Sequence, residues 1–219
     1  MTRPEQTDWD RYYGRPFWTA GFTRRLTGRR LLGAIRRHLP SRPPGELVVL
    51  ELGGAGGSFF EMLSERLTPG QYHVVDKNRA GLSLLGARRR PGLETVVHHC
   101  DVRDCRLPVR ADVVFSVGLV EHFPSAETSQ VIATHFRLVS PGGLVIITFP
   151  TPTPLYCLAR RLAEGLGLWM FPDERPLDMG EVLDQVRQRG RLLERGIIWP
   201  IVYTQGLVAV QAGPGPAER

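Results

Sequence analysis

Between Glu46 and Phe149 the chain alternates strand-like and helix-like segments, and that alternation leaves few folds open. Glu46–Leu52 reads as a buried strand, followed by a glycine-rich turn and a helix from about Ser58 to Leu67. Tyr72–Val75 is a second strand, Arg79–Arg89 a helix, and Glu94–His98 a third, short strand. Ala111–Val117 is a fourth strand, Ala126–Leu138 a helix, and Gly143–Phe149 a fifth strand. Successive strands separated by helices need crossover connections, which predicts a parallel sheet covered on both faces.

The flanks differ from this core. Residues 1–20 are rich in aromatics (Trp9, Tyr12, Tyr13, Phe17, Trp18), residues 23–39 have a helical pattern, and Pro40–Gly45 breaks it. After Pro150, Pro152 and Pro154 come a helix over Leu155–Gly165, an irregular stretch over 169–180 and a helix near Gly180–Gln188. Two strand-like segments follow, Arg191–Ile198 and Tyr203–Gln211, and the tail from Ala212 is expected to fray. A length of 219 residues fits one domain, and 42% apolar residues is a globular composition. The longest apolar runs are strand-length, so no membrane span is expected, and residues 1–10 lack a signal-peptide pattern. Cys100, Cys105 and Cys157 are too few for a disulfide framework, which points to a reducing cytoplasm.

The formal charge is +6, carried almost wholly by arginine, since Lys77 is the single lysine. Such an excess suits an anionic partner (nucleic acid, a phosphorylated substrate or a membrane surface) or simply a solvated surface, and we favour the latter for the excess as a whole. Arg24, Arg25, Arg29, Arg30, Arg36 and Arg37 still form a local cluster, without the interleaved aromatics of a single-strand binder.

The run Val48–Gly57 places four glycines around Ala55 at the end of the first strand. Glycines there allow a sharp turn and a close approach of ligand to backbone, outside the carboxyl ends of the strands. Dinucleotide-binding enzymes share such a turn, and charge separates the two cases. Glu51 just before the glycines is a poor neighbour for a pyrophosphate and suits a ligand with sulfonium and ammonium groups. Asp76 ends the second strand, where a ribose would lie, and Asp101 follows the third, where a carboxylate can accept from an adenine amine. Each acid alone could be a helix cap or a loop charge. Acids at three successive strand ends are much harder to obtain by chance.

With Ala111–Phe123 and Leu138–Ile147 added, residues 46–150 resemble a class I S-adenosylmethionine-dependent methyltransferase. That resemblance implies a three-layer α/β sandwich with a seven-stranded, mostly parallel sheet whose last strand is antiparallel, the tail strands supplying the last pair. It implies S-adenosyl-L-methionine as cofactor, with Glu51, Gly53, Gly54 and Gly57 at its methionine and ribose end, Asp76 and Lys77 at the ribose, and Asp101 and Val102 at the adenine. Ser116 and Val117 would lie beside the transferred methyl. Ala55 departs from the family's glycine pattern, and Gly54 and Gly56 are expected to make room for it. The expected organisation is a helical cap over 1–45, the cofactor-binding core over 46–150, a substrate-side insertion over 151–190, and the last strands and tail over 191–219.

Methyl transfer from a sulfonium needs alignment of the acceptor and, where a proton is lost, a base. His122 is the candidate base, with a structural or cofactor-contacting histidine as the bland alternative, and Tyr13, with Tyr12 and Tyr156, is a further candidate whose alternative is packing of a substrate lid. Tyr12, Trp18, Tyr156 and Trp169 are expected to bind the acceptor, in a pocket built from residues 9–22 and 150–180. The patch His98, His99, Cys100, Cys105 lacks paired metal-ligand spacing, so no metal is expected. No Asn/Asp-Pro-Pro-aromatic segment ends the fourth strand, which weighs against methylation of adenine or glutamine nitrogen. The expected acceptor is an oxygen or nitrogen of a small molecule or glycan, possible forms being aromatic, sugar-linked or phosphorylated. The alternatives are a nucleic-acid methyltransferase that uses the arginine cluster, not favoured without an added binding domain, and a cofactor-binding protein without turnover.

Overall fold

The computed structural model describes residues 7–10, 20–39, 42–88, 90–198 and 204–214. Tyr12, Tyr13 and Trp18 lie outside the described residues. The first helix, α1, is Ala20–His38. The alternating core follows as β1 (Val48–Leu52), α2 (Phe60–Leu67), β2 (Gln71–Asp76), α3 (Arg79–Gly86), β3 (Glu94–His99) and β4 (Ala111–Val117). It continues through a short 3-10 turn at Val120–His122, α4 (Ser125–Leu138) and β5 (Val139–Pro150). Then come α5 (Pro154–Gly165), α6 (Met179–Arg187), β6 (Gly190–Ile197) and β7 (Gln205–Ala212).

The seven strands form one sheet in the order β3-β2-β1-β4-β5-β7-β6. β1 pairs in parallel with both β2 and β4, and β7 runs antiparallel to both β5 and β6. The last strand alone is reversed, as the class I pattern implies. Strand order reverses direction between β1 and β4, so a crevice opens there at the carboxyl ends of the strands.

Alternation along each strand sorts the core into two layers. Val49, Tyr72, Val74, Val113, Phe115 and Ile146 pack against α1, α2 and α3 through Leu31, Ile35, Phe60, Leu63 and Leu82. Leu50, Leu52, Val114, Val145, Ile147 and Val208 pack on the other face against Val131 and Ile132 of α4 and Val182 and Val186 of α6. No helix among the described residues is long and apolar enough to cross a membrane.

Three expectations shift. β1 begins at Val48 rather than Glu46, because Gly45 at φ 85° and the Glu46 N–H to Pro43 carbonyl bond (3.2 Å) make a turn first. β5 begins at Val139 rather than Gly143, since Val139 already pairs with Ala111 before an irregularity in register. Ser140-Pro141-Gly142 reads as a loop in sequence but is carried within the strand. Cys100 and Cys105, read as part of a set too sparse for a disulfide framework, are joined by a disulfide. It closes one loop and joins no separate elements, so it is still no framework.

Candidate functional site

β1 ends where Glu51 folds back under the glycine turn. The Glu51 carboxyl is buried, accepts from the Tyr72 hydroxyl at 2.7 Å, and is pushed up to about 8 by burial, partly offset by that hydrogen bond. Gly54 is required for this: a Cβ there would fall 2.5 Å from Glu51 Cδ. Gly53, at φ 75°, bends the chain and donates its N–H to the Val75 carbonyl at 2.8 Å. The turn is thereby tied to β2. A Cβ on Gly53 would meet Leu119 at 2.9 Å, so its missing side chain keeps the crevice between β1 and β4 open.

Asp76, at the end of β2, accepts from Ala55 N at 3.0 Å and from Asn78 N at 2.8 Å. Burial raises its carboxyl, and these backbone donors pull it back. It thus holds the glycine turn and the start of α3 together while lining the cavity. Room for the Ala55 methyl comes from α3: a Cβ on Gly81 would sit 2.9 Å from Ala55 Cβ. This corrects the expectation that Gly54 and Gly56 would provide it. Asp101 is clamped by Arg103, whose Nε and Nη2 reach its two oxygens at 2.9 and 2.6 Å and hold it below the usual carboxylate range. Arg103 also reaches Glu127 at 2.8 Å. Asp101 thus already carries a guanidinium partner, Arg103, that the sequence reading overlooked.

One cavity of about 660 Å³ is lined by Glu51, Gly53, Gly54, Gly57, Asp76, Lys77, Asp101, Val102 and Val117. Ser116 does not line it. Its position on β4 turns it to the opposite face, where its hydroxyl meets His135 Nε2 at 2.9 Å. The expectation that Ser116 lies beside the ligand is corrected by strand alternation.

Beyond the end of β4 the same cavity reaches His122, Tyr156 and Trp169. His122 Nδ1 lies 3.0 Å from Asp173 Oδ1, and its ring meets Trp9 edge-on at 4.9 Å between centroids. Burial alone would pull the imidazole down, but Asp173, Glu121 and Glu174 outweigh it and the net shift is upward. The same contact, with one from Thr7, overcomes burial and holds Asp173 down at about 2. Glu121 is buried and pushed up to about 8 by burial. Its Oε1 stands 4.0 Å from His122 Nε2, and its Oε2 has no partner among the described residues. The Tyr156 hydroxyl donates to Glu174, and Trp169 Nε1 donates to the Phe171 carbonyl at 2.9 Å. Tyr156 and Trp169 thus offer rings to the cavity while their polar atoms are engaged.

The sequence reading missed Glu121, Asp173 and Glu174. Asp173 lies 51 positions from His122, and no local pattern joins them. The one hint was a pair of acids, followed by Arg175, inside the largely apolar string Trp169–Leu177. Ligand atoms of Glu121, His122 and Glu174 lie within 4.8 Å of one another, a grouping that could hold a cation. The metal reading weighed in sequence concerned other residues: there His98 stacks on His73, and Cys100 and Cys105 are bridged.

Residues 49–143 match the family model described as a methyltransferase domain. Over those residues the chain resembles a methyltransferase domain. No curated protein sequence gives a match. Among solved structures, the domain's fold is shared by magnesium protoporphyrin IX methyltransferase (ChlM) from Synechocystis PCC 6803 with bound S-adenosylhomocysteine, at TM-score 0.71 and 15% identity over 94% of this chain and 93% of that one. It is shared by the N-methyltransferase NodS from Bradyrhizobium japonicum WM9, also with S-adenosylhomocysteine, at 0.68 and 14% over 93% and 95%. An S-adenosylmethionine-dependent methyltransferase from Clostridium acetobutylicum follows at 0.64 and 12% over 86% and 92%.

The residues present fit the cofactor. The glycine turn leaves the backbone bare, and Glu51, Asp76 and Asp101 line one cavity, a set of polar groups that can hydrogen-bond the ammonium, ribose and amine groups of the cofactor.

Proposed function

We propose that the chain methylates an oxygen or nitrogen of a small-molecule or glycan-type acceptor by in-line displacement. One observation carries this reading: a single cavity runs from the glycine turn to a buried imidazole backed by a carboxylate. S-adenosylmethionine supplies an activated methyl group. The domain's residues align the acceptor, exclude water and take its proton.

In this reading Glu51, Gly53, Gly54, Gly57, Asp76, Lys77, Asp101, Val102 and Val117 hold the cofactor. His122 is the base. Asp173 fixes the proton on Nδ1, leaving the Nε2 lone pair for the acceptor's proton. Nε2 would take the proton that the acceptor atom loses as it displaces the thioether sulfur of S-adenosylhomocysteine from the methyl carbon. Tyr156 and Trp169 wall the acceptor pocket, with Tyr12, Tyr13 and Trp18 proposed to complete it from the 1–45 cap. Residues 151–190 form its substrate side. The names of ChlM and NodS, one a porphyrin methyltransferase and the other an N-methyltransferase, support a small acceptor. A cytoplasmic location is part of the proposal.

The test uses an acceptor found by screening extracts with labelled cofactor. His122→Ala should lower kcat by roughly 10²- to 10⁴-fold while calorimetry shows S-adenosylhomocysteine affinity unchanged. A base must be neutral, so turnover should rise with pH through the raised His122 pKa, above its ordinary 6.5. Asp173→Asn removes the contact that raises it and should move that limb to lower pH. Full activity in His122→Ala, or a limb unmoved by Asp173→Asn, would eliminate the base assignment.

A further inference from the structure

Large exposed apolar side chains on this chain are gathered rather than scattered. Of the nine found among the described residues, five lie between 155 and 168: Leu155, Leu158, Leu162, Leu166 and Leu168, from 45% to 72% exposed. The first three follow one another at helical spacing along α5, so they share a face, with Leu166 one turn beyond. The buried side of the helix sends Tyr156 to the cavity. A contiguous leucine face of this kind is uncommon on a free surface and marks a contact.

Charge says what the contact is. α1 has no acidic residue, and Arg25, Arg29 and Arg30 on it are exposed, with no ion pair among the described residues. Arg161, at the edge of the leucine face on the same helix, is exposed as well. The two helices border one cavity: Thr23, Leu26 and Thr27 of α1 line it together with Tyr156 of α5, Leu168 and Trp169. A second copy docked on this face would bring arginines against arginines, because a two-fold contact joins a patch to itself. An anionic lipid surface meets both features at once, taking the leucines at the acyl boundary and the guanidiniums at the headgroups.

We propose that α5 and the exposed face of α1 dock the protein on an anionic membrane surface, with the mouth of the cavity beside the lipid. Docking stands on the leucines and arginines alone. Its corollary, that the methyl acceptor is reached at the bilayer surface, rests on the methyl-transfer reading.

Cosedimentation with vesicles tests this. Wild-type protein should pellet with mixed phosphatidylglycerol and phosphatidylcholine vesicles, far less with phosphatidylcholine alone, and less as salt rises. L158E/L162E and, separately, R25E/R29E should each weaken binding by about tenfold or more. These are exposed positions outside the cofactor site, so melting temperature and S-adenosylhomocysteine affinity should stay at wild-type values in both variants. Wild-type protein that stays in solution with anionic vesicles overturns the proposal. So does L158E/L162E binding as wild type. A concentration-dependent dimer in light scattering, abolished by L158E/L162E in protein that ignores vesicles, would assign the face to a second copy instead. Vesicle binding by a protein that does not bind S-adenosylhomocysteine would sink the methyl-transfer reading and leave docking intact.

Discussion

Ser116 and Val117 are neighbours on β4 and face opposite ways, Val117 to the cavity and Ser116 to α4. His135, one of the few buried polar side chains in that layer, is bound at both nitrogens: Nδ1 to the Val131 carbonyl and Nε2 to the Ser116 hydroxyl, each at 2.9 Å. Burial pulls its pKa down to about 4, so the ring is neutral near pH 7. Its Nδ1–H donates to the carbonyl and its Nε2 accepts from the serine. Ser116→Ala leaves that nitrogen buried without a donor. The cost should be about 1–3 kcal/mol, read as a melting midpoint several degrees lower. S-adenosylhomocysteine affinity should not change. A loss of affinity at unchanged stability would instead put Ser116 against the ligand.

The glycine turn and α3 are coupled through the close approach of Ala55 and Gly81. Gly81 is also the residue whose N–H is capped by the Asn78 side chain at 2.7 Å, so it cannot retreat without losing that cap. Gly81→Ala should therefore destabilise by roughly 1–3 kcal/mol despite alanine's better helix propensity. In an Ala55→Gly background the nearest contact is gone, and the same change should cost distinctly less. A double-mutant cycle by chemical denaturation measures the difference. Equal costs in both backgrounds would show that Ala55 and Gly81 do not press on each other. This coupling also shows what sequence can carry. Ala55 stood out as a departure in a known pattern, but its relief came from α3, 26 positions on, where Gly81 looks like any helix glycine. The strands and the acids at their ends were legible because strand periodicity and the turn are local. The Asp173 contact to His122 was not, because it joins a loop after α5 to the turn after β4. Nor was the orientation of Ser116, which depends on knowing the strand's register to within one residue.

At the scale of the whole molecule, buried carboxyls set how stability responds to pH. Glu51 and Glu121 both titrate near 8 in the folded chain, against 4.5 as the ordinary value, because burial disfavours their charged forms. Folded protein therefore holds protons that unfolded chain releases, and stability falls as pH rises from about 4.5 through 8. His122 and Asp76, also raised, act in the same direction. Buried neutral histidines act oppositely. His135, His73 and His98 are lowered by burial, so stability they contribute is present above 6.5 and lost as pH falls through their folded pKa values. Asp173, held near 2, adds a loss only in strong acid. Below about 6.5 the two sets oppose each other. Above it the histidines have nothing further to give, and the carboxyls decide. The melting midpoint should therefore fall by several degrees between about pH 6.5 and pH 8. Glu51→Gln keeps an acceptor for the Tyr72 hydroxyl but cannot ionise, so it should flatten that alkaline limb, and Glu121→Gln should do the same independently. A limb of undiminished slope in both variants would mean that neither carboxyl stays protonated in the fold, and that the interior at the end of β1 and after β4 is wetter than its packing implies.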